Sequence, residues 1–354
     1  MSKMLEEIRQ QPVTLERTLR SELRDLERLR KHFAQNRPRL ILLAARGTSD
    51  NAAQFGRYIL EITTGIPVSL AAPSIFTLYK GTIDLRDVLV VALSQSGEST
   101  DTNLVLQRGK DAGAMTIGIT NEQDSTLARL ADHALLVRAG KERSVAATKT
   151  YTGQLLMCYG LAYALGAPID VDDLRRLPEF ARQALELETD ISERAERYTF
   201  MTRALVVGRG LNYSNAFEFA LKLMETCYIV AERFSSADLM HGPIAMVETA
   251  FPTFIFTPTG VTWPSIRELV ERLRGLKAET LIITDLSNKQ AIEQAPHSLR
   301  IPVKLARKTG PLPEEIYTPI PYIIPAQILA AKLAAQKGLD PDRPRTLSKV
   351  TQTM

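Results

Sequence analysis

The stretch "LSQSGESTDT" (residues 93–102) sets Ser94, Ser96 and Ser99 around Gln95 and Gly97, with no Lys or Arg among them. It follows the apolar run "VLVVA" and precedes a helical pattern, so hydroxyls and backbone N–H groups gather at the positive end of a helix. These residue types suit a phosphate dianion held by neutral donors, and Gly97 removes the Cβ that would block close approach. A Ser-capped turn explains the same letters. The loop "RGTSDN" (46–51) adds Gly47, Thr48 and Ser49, of which helix capping needs one hydroxyl alone. Ionisable candidates lie elsewhere. Lys222 and Glu225 stand three apart in "NAFEFALKLMET" and share a helix face, as a surface ion pair also does. His241 precedes Gly-Pro in "LMHGPIAM", and Lys349 lies in the tail segment "RTLSKVT". Taken singly, a structural His and a solvated Lys are ordinary.

The elements that must position these residues alternate in type. Short apolar runs at 40–45, 67–72, 88–94, 115–120 and 134–139 are spaced by helical patterns; a second set follows at 204–208, 253–258, 280–285 and 298–303. Near-continuous apolar strands between helices predict parallel sheets covered on both faces. An amphipathic helix is expected over about 14–35, helical sequence over 147–194 and a long helix near 323–337. The two sets match each other. Gly47 aligns with Gly210, Asn51 with Asn215, Gly97 with Gly260 and Thr120 with Thr284, each pair 163 or 164 residues apart. A duplicated α/β domain accounts for that regularity. The second copy carries "TPTG" in place of "SQSG", and Pro258 removes a backbone donor, so one anion pocket per chain is expected. The expected division is an N-terminal helical segment (1–36), a first domain (37–194), a second domain (195–340) and a tail (341–354).

Composition narrows the class. The chain has 354 residues, 45% hydrophobic and 24% charged, with a net charge of +4. No basic cluster reads as a nucleic-acid footprint, and "RTLRSELRDLERLRK" alternates sign as a solvated helix face does. Cys158 and Cys227 lie in apolar helical stretches and read as core thiols in a reducing compartment. His32, His133, His241 and His297 have no metal-ligand spacing, so neither metal nor cofactor is expected. No apolar run approaches the ~18 residues of a membrane span, and a cytoplasmic location follows by default.

Taken together, the motifs resemble the sugar isomerase (SIS) family, and within it the isomerase half of the glutamine–fructose-6-phosphate aminotransferases. The likeness rests on "RGTS", "LSQSGESTDT", "AGKERSVAATKTYTGQL", "GRGLNYSNAFEFALKLMETCYIVAE", "LMHGPIAMV" and "RPRTLSKVT", in order over nearly the whole chain. The resemblance implies two tandem SIS domains, each a flavodoxin-like parallel sheet flanked by helices, and a homodimer. It implies that Ser94, Gln95, Ser96, Gly97 and Ser99 bind the phosphate of a hexose or hexosamine 6-phosphate. Gly47, Thr48, Ser49, the backbone around Val145, and Ser348 would add contacts. Glu225 corresponds to the carboxylate that moves a proton between C1 and C2, Lys222 to its helper, and His241 to the ring-opening residue, given to the neighbouring subunit. Lys349 corresponds to the tail lysine that meets the open-chain sugar and can form a Schiff base. These roles agree with the chemistry, since one carboxylate can serve both carbons of an enediol.

Departures shape the expected activity. The aminotransferases carry a glutaminase domain whose residue after Met is a nucleophilic Cys; here residue 2 is Ser, so glutamine hydrolysis is not expected. Arg46, Thr226 and Cys227 also depart from the synthase pattern. The expected reaction is conversion of glucosamine 6-phosphate, or a close relative, to a ketose 6-phosphate with release of ammonia. A fructosamine-6-phosphate deglycase and an ammonia-using synthase subunit are the rival enzymes. A non-catalytic phosphosugar sensor is the rival of another class.

Overall fold

The computed structural model describes residues 2–295, 297–307 and 310–346. They fall into two compact units. The first comprises Gln10–Glu142 and Lys149–Pro178; the second comprises Arg143–Thr148 and Glu179–Thr346, together with the N-terminal segment up to Arg9. Chain order and packing thus differ from consecutive blocks divided near residue 194. The physical reason is local to the second unit: the Glu7 carboxylate accepts the Arg143 and Ser144 N–H groups at 2.5 and 3.2 Å, and Gln327 Nε2 donates to the Thr148 carbonyl at 3.4 Å.

In the first unit, β1 (Leu40–Ala44), β2 (Val68–Leu70), β3 (Val88–Ser94), β4 (Met115–Thr120) and β5 (His133–Leu136) form a parallel sheet in the order β2-β1-β3-β4-β5. All seven residues of β3 are buried, which is why its sequence runs apolar without alternation. The helix Gln11–Phe33 lays its apolar face on this unit and buries Glu22, whose carboxylate accepts the Leu136 N–H and meets Arg138. In the helices Thr48–Thr64 and Lys149–Ala164, Phe55 and Tyr159 pack with ring centroids 5.0 Å apart.

The second unit repeats the plan. β6 (Arg203–Gly208), β7 (Val230–Ser235), β8 (Pro252–Phe256), β9 (Glu279–Asp285) and β10 (Ser298–Ile301) form a parallel sheet in the order β7-β6-β8-β9-β10. The same order in both units agrees with the duplication read from the four sequence landmarks. β7 was absent from the sequence expectation because Glu232 and Arg233 interrupt "VAERFS"; it is an edge strand with three exposed residues, so it needs no apolar run. The helix Pro319–Gln336 is almost wholly buried, and its apolar composition on every side follows from that.

In both sheets the order reverses beside the first strand, between β1 and β3 and between β6 and β8. Chain leaving these strands opens a crevice at their carboxyl ends, where ligands of such folds bind. No helix among the described residues is long and apolar enough to cross a membrane. Cys158 and Cys227 are free and buried, as expected of core thiols.

Candidate functional site

In the first unit β3 ends at Ser94, and residues 95–99 lead into the helix Thr100–Asp111. Gly97 adopts φ +67°, a left-handed conformation that glycine takes without steric cost. A Cβ there would lie 2.2 Å from Ser125 Oγ and 3.0 Å from Thr120 Oγ1. The close approach of Ser125 thus requires glycine at 97 whatever the loop holds. Ser94 Oγ accepts the Gly97 N–H at 3.1 Å, and Ser96 Oγ accepts the Glu98 N–H at 3.2 Å. The Gly97 carbonyl accepts from Asn103 Nδ2 and the Leu127 N–H at 3.0 and 2.9 Å. Glu98 turns away to Thr126, accepting its N–H and hydroxyl, and those two bonds hold its carboxyl below the usual range.

The loop is thus braced from behind while its front stays open. Gln95, Ser96 and Ser99 are partly exposed, and the Gln95 amide and the Ser99 N–H have no protein partner among the described residues. Ser99 Oγ lies 3.0 Å from Thr102 Oγ1 and does not cap the helix, so capping does not explain it. Across the crevice, Gly47 stands at the N-cap of the helix Thr48–Thr64 with φ +56° and ψ −132°, again with no side-chain cap. Ser49 is buried and its Oγ accepts from Gln154 Nε2 at 2.9 Å, leaving its hydroxyl proton to donate; Thr48 is half-buried.

Arg46 alters the expectation of purely neutral donors. Its Nε and Nη2 both reach Asp101 Oδ2, at 3.1 and 2.7 Å, joining the loop after β1 to the first turn after β3. Asp101 is buried while half of the Arg46 side chain is exposed, so a guanidinium stands at the crevice with its charge balanced from below.

In the second unit the helix Tyr213–Cys227 carries Glu218, Lys222 and Glu225 along one face. Lys222 Nζ lies 2.6 Å from Glu225 Oε2 and 3.4 Å from Glu218 Oε1. Burial works against the Lys222 charge, but the two carboxylates outweigh it and hold the ammonium well above the ordinary lysine value. Lys222 and Glu218 have no exposed side-chain surface, whereas 22% of the Glu225 side chain is exposed. The surface-pair alternative is thereby excluded: only the Glu225 end of the triad reaches solvent. Glu218 was missed in the sequence, although its place four residues before Lys222 is the spacing that signals such a pair.

The helix ends where Tyr228 turns to φ +55°. The Tyr228 hydroxyl accepts the Arg345 N–H at 2.8 Å, and the Arg345 guanidinium lies 4.5 Å from the Tyr228 ring centroid. The end of the described chain is therefore tied down three residues past Glu225. Ser348 and Lys349 lie outside the described residues. His241 follows the short helix Ser236–Met240 and is exposed. Val145 is half-buried in the segment held by Glu7. Among the described residues no cluster of His, Cys, Asp or Glu could hold a metal ion.

The SIS domain model matches residues 35–164 and 201–333, more than half of the chain. The chain belongs to the SIS-domain family. Among curated proteins it is 36% identical over 309 residues to the glutamine–fructose-6-phosphate aminotransferase of Methanothermobacter thermautotrophicus, covering 87% of this chain and 51% of that protein. The corresponding protein of Pyrococcus horikoshii is 34% identical, over 98% of this chain and 57% of its own length. The SIS chain spans about half the length of these curated relatives, and the homology lies in their isomerase portion. Among solved structures, the C-terminal domain of the Francisella tularensis aminotransferase superposes with a TM-score of 0.85 at 27% identity, covering 97% of this chain and 98% of that one. Glucosamine-6-phosphate deaminase from Thermotoga maritima shares the fold, with a TM-score of 0.79 at 23% identity over 99% and 100% of the two chains.

Proposed function

We propose that this SIS protein is a sugar-phosphate isomerase that deaminates an amino-sugar 6-phosphate, with glucosamine 6-phosphate as the leading substrate. The products are fructose 6-phosphate and ammonia. The phosphate is held by Ser94, Gln95, Ser96 and Ser99, with Thr48, Ser49, Ser348 and the backbone near Val145 adding contacts. His241, contributed by the partner copy of a homodimer, opens the ring by protonating the ring oxygen as O1 loses its proton. Glu225 removes the proton from C2 of the open-chain aldehyde, giving an enolamine, and returns it to C1. The resulting C2 imine takes up water and loses ammonia, leaving the C2 ketone. Lys349 meets the open-chain sugar.

The observation that carries this reading is the half-open triad. A base for a C–H proton has to meet substrate while being held in one orientation. Glu225 is the solvent-reaching end of an otherwise buried Glu218–Lys222–Glu225 chain. Lys222, kept charged between two carboxylates, holds the Glu225 carboxylate from behind by donating to Oε2. Neither Cys158 nor Cys227 takes part in this chemistry. Both are buried, and burial pushes the Cys158 thiol up to about 12 and the Cys227 thiol to about 11, the reverse of an activated nucleophile.

A screen of hexosamine 6-phosphates and fructosamine 6-phosphates, reading ammonia and ketose 6-phosphate, tests the assignment. Ammonia released from a hexosamine 6-phosphate is the expected result. Turnover of a fructosamine 6-phosphate alone would replace it with a deglycase, and turnover only from fructose 6-phosphate plus ammonia with a synthase. Tight binding without any turnover would leave a sensor.

A further inference from the structure

The second unit contains the counterpart of the loop 94–99, and it is already occupied. With Gly260 in register with Gly97, the N–H groups of Val261 and Thr262 correspond to those of Glu98 and Ser99. In the second unit these two N–H groups donate to Glu315, Val261 to Oε2 at 3.2 Å and Thr262 to Oε1 at 3.3 Å. The Ser99 N–H of the first unit has no such partner among the described residues. Glu315 is 2% exposed, and the carboxylate lies so close to the loop that a Cβ on Gly260 would fall 1.7 Å from Oε2. Its backbone is pinned in turn. The Glu315 carbonyl accepts the Thr318 N–H and hydroxyl at 3.0 and 2.7 Å, and Asn212, from the loop after β6, donates to the Thr318 hydroxyl at 2.8 Å.

We infer that Glu315 is the resident anion of the second unit: its carboxylate fills the oxyanion cradle that duplication created there and closes a latent second phosphate site. A buried carboxylate is tolerated only where charge-assisted hydrogen bonds replace its water, and the two N–H groups at the start of the helix Trp263–Gly275 supply them. An empty cradle would leave those donors buried without an acceptor, a cost of the same kind. The ligand class that the cradle takes once emptied is a small tetrahedral oxyanion. Glu315 plays this part whichever sugar phosphate the first loop holds.

The test uses the full chain and inorganic phosphate, so it is independent of any sugar or turnover. Glu315→Ala and wild type are titrated with phosphate by calorimetry and by 31P NMR. Glu315→Ala is expected to bind one phosphate per chain more than wild type and to gain more in Tm from added phosphate. Equal stoichiometry and equal thermal response overturn the inference, whereas a wild type that binds no phosphate counts against the role of residues 94–99 alone. Glu315→Gln keeps the shape and drops the charge. It serves if the Ala variant does not fold: a Tm lowered by at least the ~2–4 °C that one lost charge-assisted bond produces in a unit of this size is expected, and a Gln variant as stable as wild type overturns the inference.

Discussion

Lys222 Nζ stands 2.6 Å from Glu225 Oε2 and 3.4 Å from Glu218 Oε1, with Lys222 and Glu218 wholly buried. An ammonium in that position holds two carboxylates on one helix face, and only Glu225 is left partly open to solvent. Removing the cation therefore does more than loosen a catalytic pair. Lys222→Met is expected to destabilise the protein by about 3–5 kcal/mol, because the buried Glu218 carboxylate loses the ammonium that faces it. Adding Glu218→Gln should recover much of that loss in urea unfolding, and a single variant as stable as wild type would contradict the triad.

The same triad fixes a pH dependence. The folded-state pKa of Lys222 is raised, so its contribution is fully present below the ordinary lysine value of ~10.4 and is lost only as pH climbs through the raised value. With Glu218 also made neutral, the stability difference between wild type and Lys222→Met/Glu218→Gln is thus expected to be flat from about pH 6 to 9. A difference that shrinks steadily across that range would show a lysine already titrating.

Two glycines that look alike in sequence are expected to respond differently. Gly47 has open space where a Cβ would go, so Gly47→Ala meets only backbone strain, about 1–3 kcal/mol. Gly97→Ala adds a clash with Ser125, whose Oγ also accepts the Ala128 N–H at 3.3 Å. Its cost should exceed that of Gly47→Ala and should fall in a Ser125→Gly background. Thermal unfolding of the four variants decides the matter, and an additive double mutant would count against the contact.

Both glycines were visible in the sequence, but the approach of Ser125 to Gly97 was not. Strand runs such as "VLVVALS" and "MTIGIT" declare themselves because burial on two faces selects continuous apolar residues, and spacing alone exposed the duplication. Edge strand β7 escaped because exposed positions accept Glu232 and Arg233. Lys222 and Glu225 were legible as a pair from their spacing; that the pair is buried depends on what packs around the helix, which periodicity does not record. Arg46 with Asp101, Tyr228 with Arg345, and Glu315 on Val261 and Thr262 join residues 55, 117 and 53–54 positions apart. Such contacts exist only once the sheet order is known.

The two thiols give a simple chemical check. With Cys158 and Cys227 pushed up to about 12 and about 11 by burial, neither is a thiolate near neutral pH. The native protein at pH 8 is expected to leave a disulfide reagent such as Ellman's unreacted over the time in which the urea-unfolded chain titrates both cysteines. A native thiol that reacts at once would place one of them at the surface.

Tyr228 offers a way to loosen the chain end without touching the triad. Tyr228→Phe removes the hydroxyl that accepts the Arg345 N–H and is expected to cost about 0.5–1.5 kcal/mol at that contact. Limited trypsin digestion should then cut after Arg345 faster than in wild type while the rest of the fold resists. If Lys349 acts on the substrate, turnover falls in parallel; unchanged cleavage would mean that the contact does not hold the chain end.

The central claim is that Glu225 carries the C2 proton of the sugar to C1. Glucosamine 6-phosphate deuterated at C2 tests it most directly, read by NMR of the product and by ligand titration, in wild type and Glu225→Gln. Wild type is expected to release ammonia and to leave part of the deuterium at C1 of fructose 6-phosphate, the remainder exchanging with solvent from the carboxyl group. The Gln variant is expected to bind the sugar phosphate with little change and to form no product. A Gln variant that still forms product at a rate near that of wild type would contradict the claim.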